Sequence, residues 1–291
     1  MEQQLLDFLK FLEDEFKYSK NTIAAYKNDL TQFLHFILEQ SGNKLDEWSQ
    51  VNDVHVQAYV VFMKQQPYAS SSIARKVAAV KSFFNYLFSR EQIKHNPTID
   101  VESPKVKKRL PQTLSFDEVE QLLKAPMRKK TPKHLRDTAL LTLLYSTGMR
   151  VTEVVSLELS DVNMAKGLLH SPIKDGNARE LPFDDSTKQV LQTYLDHGRP
   201  YLAKDSHEQS LFLNHRGQQL TRQGLWLIIK AYARQVNLTT SVTPHTLRHS
   251  FAAHKLHSGS DLQEVQKLLG HANISTTQIY TQIADGDEEE E

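Results

Sequence analysis

Residues 243–280 read TPHTLRHSFAAHKLHSGSDLQEVQKLLGHANISTTQIY, and this stretch decides the fold. Pro244 stands where proline opens a helix, and His245 and Arg248, three residues apart, leave the same face. Gly259 ends that helix. Ser260 with Gln263 reads as a capping box, and Ser275 with Gln278 repeats the pattern. Between them an amphipathic run ends at Gly270-His271, and Tyr280 is expected about one and a half turns into the last helix. One arginine, two histidines and a tyrosine are thereby gathered into a set of short helices.

Upstream, the run from Leu135 to Tyr145 is apolar nearly all round and predicts a buried helix. It stops at Thr147-Gly148; Arg150 follows, with Glu153 one turn further on. Locally, Arg150 reads either as an ion-pair partner of Glu153 or as part of a site at a core edge. Residues 167–183 predict a hairpin whose turn is Lys174 to Asn177. Pro172 makes its first strand an edge strand. A helix follows over about 185–196, then a short strand Leu211-Phe212-Leu213. Thr221 caps a helix running to Val236, with Leu225, Ile228, Ile229 and Tyr232 on its inner face.

Residues 1–100 read as helices throughout. Leu5, Leu9, Leu12 and Phe16 form one apolar stripe, and Ile23, Tyr26, Leu30, Phe33 and Ile37 a second. A third helix is expected around 54–64. A fourth, over about 70–90, turns Ile73, Val77, Val80, Phe84 and Leu87 inward and Arg75, Lys76 and Lys81 outward. The strap NPTIDVESPKVKKRLP has three prolines and four cations and no helical period, so it marks a boundary. The organisation expected is a helical N-terminal domain over 1–103, a basic linker over 104–111, an α+β domain over 112–284 and an acidic tail over 285–291. The fold class is mainly α with a small antiparallel β-sheet.

A length of 291 residues exceeds one typical core and favours two domains. The chain has no cysteine, which excludes disulfides and thiolate zinc sites and fits a reducing cytoplasm. MEQQLLDFLKFLEDEF is an acidic amphipathic helix rather than a signal peptide, and no apolar run approaches membrane length. Lys plus Arg and Asp plus Glu number 35 each. The balance hides an asymmetry, because six acids sit in residues 285–291 and the remaining 284 residues are at +6. A basic body with a basic strap fits a polyanionic partner.

Taken in order, Arg150 with Glu153, Lys174 on a hairpin, His245-x-x-Arg248, Gly270-His271 and Tyr280 resemble the tyrosine recombinases, nearest their Xer type. H-x-x-R alone is a weak signal. The full ordered set, with YSTGMRVTEVVSL, TPHTLRHSFAAH and LLGHANISTTQIYT, is very specific, and the resemblance spans about residues 1–283. It implies that Arg150 and Arg248 bind the DNA phosphate and that Lys174 is the hairpin lysine. His245 and His271 are then the active-site histidines, Tyr280 the nucleophile, and Glu153 an acid that supports the site from behind.

The resemblance also implies strand cutting and rejoining through a 3′-phosphotyrosine, at a short, roughly palindromic dif-like site, in chromosome dimer resolution. A tetramer on double-stranded DNA is implied, with a second Xer-type recombinase and an FtsK-type translocase as candidate partners. No metal or cofactor is called for. Expected DNA contacts are Arg75, Lys76, Lys81, the linker cations Lys105, Lys107, Lys108 and Arg109, and Arg222-Gln223. A phage or transposon integrase is the neighbouring alternative, and a DNA-binding relative with impaired activity the more distant one. The chain departs from the pattern in two places. Ile173 and Asp175 flank Lys174 where the family usually sets glycines, and Asp175 can pair with the lysine. Only eleven residues follow Tyr280, where the family continues into a further helix.

Overall fold

The computed structural model describes residues 1–102, 104, 110–171 and 179–286, the side chains of 284–286 excepted. Lys105, Lys107, Lys108, Arg109 and Lys174 lie outside the described residues. The chain divides into two compact units, Met1–Lys108 and Arg109–Glu291. Among the described residues no helix is long and apolar enough to cross a membrane.

The first unit is helical: α1 (Glu2–Asp14), α2 (Lys20–Gln40), α3 (Asp53–Gln65) and α4 (Ser70–Ser89). Polar caps start two of them. The Ser19 hydroxyl accepts the Thr22 N–H ahead of α2, and Asn52 and His55 exchange bonds ahead of α3. The inward stripes meet in an aromatic core of Phe8, Phe33, Trp48, Tyr59, Phe83 and Phe84, several in edge-to-face contact.

Two expectations fail here. Phe16 does not extend the first stripe. α1 ends at Asp14, Lys17 turns the backbone left-handed, and Phe16 is left exposed against Phe11. Lys76 does not face outward. It is 3% exposed, and its Nζ donates to Asp29 Oδ1 at 3.0 Å and Gln32 Oε1 at 2.6 Å. Asp29 lies on α2 where α4 packs over it, and a buried carboxylate must be paired, so α4 turns Lys76 inward. Arg75 also reaches Asp29 while keeping half its side chain in solvent. Lys81 is half-buried.

The second unit starts at α5 (Phe116–Lys124), where Ser115 and Glu118 form the expected capping box. α6 (Pro132–Thr147) is the central helix, with Leu140, Leu141, Leu143 and Leu144 fully buried. After α7 (Val151–Val155) comes a three-stranded antiparallel sheet in the order β1 (Val162–Asn163), β2 (Leu168–Ser171), β3 (Arg179–Pro182). β2 pairs with both β1 and β3, so the strand expected at an edge from Pro172 is the central one, and Leu169 faces Leu181 across β2 and β3, both buried. This is the mainly helical fold with a small antiparallel sheet that the sequence predicts. The strand expected at 211–213 is only a pair of isolated bridges, Glu158 to Ser210 and Leu213 to Gln219. Leu211, Phe212 and Leu213 are all buried, and their backbone bonds go to two separate segments, Leu211 N–H to Leu157 O and Leu220 N–H to Phe212 O, so no continuous ladder forms.

α8 (Asp185–His197) and α9 (Arg199–Leu202) lead to α10 (Arg222–Gln235), which Thr221 caps as expected. α11 (Pro244–His257) and α12 (Leu262–Leu269) come next, but Ser260 is not the cap between them. Its backbone N–H closes the end of α11 on Lys255 O, so Asp261 caps α12 instead. The second expected box is also displaced. Asn273 caps a short turn at Ile274–Thr276, and Tyr280 ends a second one, Gln278–Tyr280, ahead of α13 (Thr281–Gly286).

Candidate active site

Two helices in this unit end on left-handed glycines, and both ends receive arginines. Gly148 (φ 59°) closes α6 and Gly270 (φ 63°) closes α12. Helix ends leave carbonyls without intrahelical partners, and those carbonyls attract cations. Arg248 on α11 donates Nη1 to Gly148 O at 2.5 Å and Nη2 to Leu269 O at 2.6 Å. Arg150 donates Nη2 to Gly270 O at 3.0 Å. Arg179 donates Nε to Leu268 O at 2.9 Å. Three consecutive carbonyls, 268 to 270, therefore each hold a different arginine.

One carboxylate ties the cluster together. Glu153 is 5% exposed and accepts from Arg150 Nη1 at 2.9 Å, from the Arg150 backbone N–H at 2.7 Å, and from both ends of the Arg179 fork at 3.1 and 3.0 Å. Burial alone would raise its pKa. The hydrogen bonds from Arg179 and Arg150 outweigh that and hold the carboxyl below its usual value. Two guanidiniums on one carboxylate, with Arg248 beside them, leave the site net positive. Arg248 feels this, since burial and then the Arg150 charge push its pKa down to about 10, still well above neutrality.

His271 follows Gly270. Its Nε2 sits 3.1 Å from Arg248 Nη2 and its Nδ1 3.0 Å from Thr277 Oγ1. A guanidinium only donates, so Nε2 accepts and Nδ1 carries the proton toward Thr277. The ring is neutral, with burial and then the Arg248 charge lowering its pKa to about 4. Tyr280 is 2% exposed, its ring centroid 6.5 Å from that of His271. Burial raises the phenol pKa, and Arg248 pulls partly against it.

The Tyr280 hydroxyl pairs with His249, not with His245. Nδ1 of His249 is 2.7 Å away, and burial, then the neighbouring His245 and Arg248, push its pKa down to about 4. His245 is exposed at the first turn of α11, its ring centroid 6.4 Å from that of His249. The i, i+4 spacing of the two histidines, closer to a full helical turn than the i, i+3 of His245 and Arg248, was the available signal. Arg179 carried a weaker one, an arginine on a strand expected to alternate.

The structure thus gathers Arg150, Glu153, Arg248, His271 and Tyr280, adds Arg179, His249 and Thr277, and leaves His245 at the rim. Arg222 and Gln223 are exposed at the start of α10.

The chain is similar to known proteins over nearly its whole length. Residues 112–287 match the phage integrase family, and residues 5–91 match its N-terminal SAM-like domain. The chain is 47% identical over 284 residues to the tyrosine recombinase XerC of Herpetosiphon aurantiacus, covering 98% of this chain and 92% of the relative. It is 41% identical to the tyrosine recombinase XerD of Listeria monocytogenes serotype 4b, covering 97% and 95%. Among solved structures it is similar to the XerA recombinase, at 28% identity, a TM-score of 0.54 and coverage of 96% and 93%. It shares its fold with the XerH site-specific recombinase bound to palindromic difH substrate, at 21% identity, a TM-score of 0.79 and coverage of 100% and 83%. The helical fold, the arginine cluster beside a buried tyrosine and this full-length similarity lead to one conclusion: the chain belongs to the phage integrase family and is a site-specific tyrosine recombinase of the Xer type.

Proposed function

We propose that this recombinase cuts and rejoins DNA at a short, roughly palindromic dif-like site, in the resolution of chromosome dimers, with Tyr280 as the nucleophile. The observation that carries the reading is the excess of cationic forks around Glu153, next to a phenol held inside the same fold. The similarity to relatives named XerC and XerD, and the shared fold with a recombinase bound to difH, support it.

A phosphodiester is anionic, and charge grows on its non-bridging oxygens as the nucleophile arrives. Arg150 and Arg248 meet that charge with planar forks that stay protonated, a role lysine fills less well. Donors set in place beforehand are typically worth about 3–4 kcal/mol each. The Tyr280 oxygen attacks phosphorus, the bond to the 5′ oxygen breaks, and a 3′-phosphotyrosine forms. The phenol proton passes to imidazole. His249 is within hydrogen-bond reach, and His245 lies one turn earlier on α11. The leaving 5′ oxygen takes a proton from Lys174, and His271 completes the shell around the phosphate. Because the tyrosyl ester keeps the energy of the broken bond, rejoining needs no ATP.

In this reading 1–103 is a DNA-binding domain, 104–111 a basic linker, 112–284 the catalytic domain and 285–291 an acidic tail. Arg75, Lys81, Arg222, Gln223 and the linker cations Lys105, Lys107, Lys108 and Arg109 contact DNA. The active assembly is a tetramer, with a second Xer-type recombinase and an FtsK-type translocase as its candidate partners.

A duplex carrying dif-like half-sites and a nick next to the cleavage position tests it. Wild-type protein should form a protein–DNA adduct that survives denaturation, and Tyr280→Phe should not. Adducts on duplexes without the site, or none on any, would sink the reading.

A further inference from the structure

We propose that Arg179 is a positioning residue for strand cleavage, a third guanidinium that sets Arg150 and His271 against the scissile phosphate without touching it. The inference rests on the function proposed above.

Arg179 opens β3, where it pairs with Ser171 of β2. Its side chain is 12% exposed, and its fork is taken up inside the protein. Nη1 and Nη2 close a bidentate pair with Glu153, and Nε reaches Leu268 O. Arg150 uses the same two anchors, Glu153 and the end of α12 at Gly270 O. The two side chains therefore clamp one carboxylate and one helix end together. Arg150 keeps 40% of its side chain in solvent, where a phosphate can reach it. Of this pair Arg150 is the one open to substrate, and Arg179, with Nε and both Nη atoms committed, holds its supports.

Gly270 shows how close the clamp is. A Cβ there would lie 2.6 Å from Arg179 Nη1, so the guanidinium lies against the bare backbone one residue before His271. Shifting Arg179 shifts the turn that carries His271. A lysine cannot replace it, because three bonds in two directions need a rigid planar fork. With Arg179 removed, Glu153 is left with a single guanidinium, and the end of α12 loses one of its three anchors.

The test is the single-turnover rate of adduct formation on the nicked duplex at saturating protein, for wild type, Arg179→Ala, Arg179→Lys, Arg150→Ala and the Arg179→Ala/Arg150→Ala double variant. A misplacement of about 1 Å costs roughly a hundredfold, and that is the slowing expected for Arg179→Ala, with affinity for the site held. Arg179→Lys should recover little of it. Millimolar guanidinium should speed Arg179→Ala and leave wild type unchanged. The double variant should be slower than Arg150→Ala by less than the loss seen in Arg179→Ala alone, because part of the Arg179 effect passes through Arg150 and the rest through His271. Losses that add, a wild-type rate in Arg179→Ala, or a fall in affinity matching the fall in rate would overturn the proposal.

The His271 ring resonance followed by NMR gives a readout that needs no reaction. It should move in Arg179→Ala on folded protein, and an unmoved resonance would also overturn the proposal. If wild type forms no adduct while Arg179→Ala still moves His271, the functional reading fails and the placing of His271 by Arg179 stands.

Discussion

His249 Nδ1 lies 2.7 Å from the Tyr280 hydroxyl, so the phenol is held by the residue that directly follows Arg248 in the chain. A free phenol is ionised in about one molecule in a thousand near pH 7, and burial lowers that fraction further here. The resting pair is a neutral phenol bonded to a neutral imidazole. A hydrogen bond of this kind contributes about 1 kcal/mol net. His249→Ala should therefore raise the rate of Tyr280 acetylation by N-acetylimidazole about fivefold, read by mass spectrometry, with Tyr280→Phe identifying the site. An unchanged rate would mean the contact does not hold the tyrosine.

Acid should destabilise the catalytic unit through two rings. The folded pKa values of His249 and His271 are about 4, against about 6.5 for an unfolded histidine. Between those values the unfolded chain binds more protons, so stability is complete above about 6.5 and falls as pH drops toward 4. The midpoint of thermal unfolding should decline over that window. His249→Gln and His271→Gln should each flatten the decline, and a slope identical to wild type would contradict the assignment.

Arg248→Ala removes the donor from Gly148 O and Leu269 O as well as a charge from the pocket. Covalent adduct formation should fall by about 10²–10³. This variant should also lose about 1–3 kcal/mol of stability, because buried carbonyls are left unpaired, whereas Tyr280→Phe should lose only the ~1 kcal/mol of its bond to His249. Denaturant titration of the two variants side by side separates the effects.

The two helix-ending glycines should differ in their consequences. In Gly148→Ala the new Cβ would lie 2.3 Å from the Phe251 ring, which belongs to the cluster around Tyr280, so the cost should fall on stability. In Gly270→Ala it meets the Arg179 guanidinium instead, and cleavage should suffer more than the melting temperature. Both also lose the left-handed backbone, at about 1 kcal/mol. Rate and melting temperature measured on each variant check the contrast.

Lys76 and Arg222 should separate folding from DNA contact. Lys76→Ala leaves the buried Asp29 carboxylate with Arg75 as its remaining cation, and the first unit should lose about 1–3 kcal/mol while the salt dependence of binding is kept. Arg222→Ala should leave folding intact and reduce the slope of log affinity against log salt by about one. Wild-type binding should weaken steeply between 50 and 200 mM salt. Equal slopes in wild type and Arg222→Ala would remove Arg222 from the interface.

Much of this was legible because it is local. The apolar run of α6 and its stop at Gly148, the box at Ser115 and Glu118, and Thr221 ahead of α10 all follow from propensity and capping within a few residues. Arg150, Arg248, His271 and Tyr280 could be singled out by type and order. What failed was where one local rule met another. Ser260 is a good cap on its own, but its N–H was already committed to ending α11. Lys76 sits next to Val77 on α4, and only the burial of Asp29 on α2 decides which way it turns.

The sequence by itself determined the helical grammar, the place of the sheet and the residue types a phosphate site would use, because periodicity, caps and turns act over single turns of chain. Tertiary structure alone decided that Arg150, Arg179 and Arg248 meet on three successive carbonyls, and that Tyr280 rests against His249 rather than His245. Those pairings join residues 21 to 120 positions apart. Close packing sets them, by leaving each buried carbonyl and carboxylate one arrangement in which it is bonded.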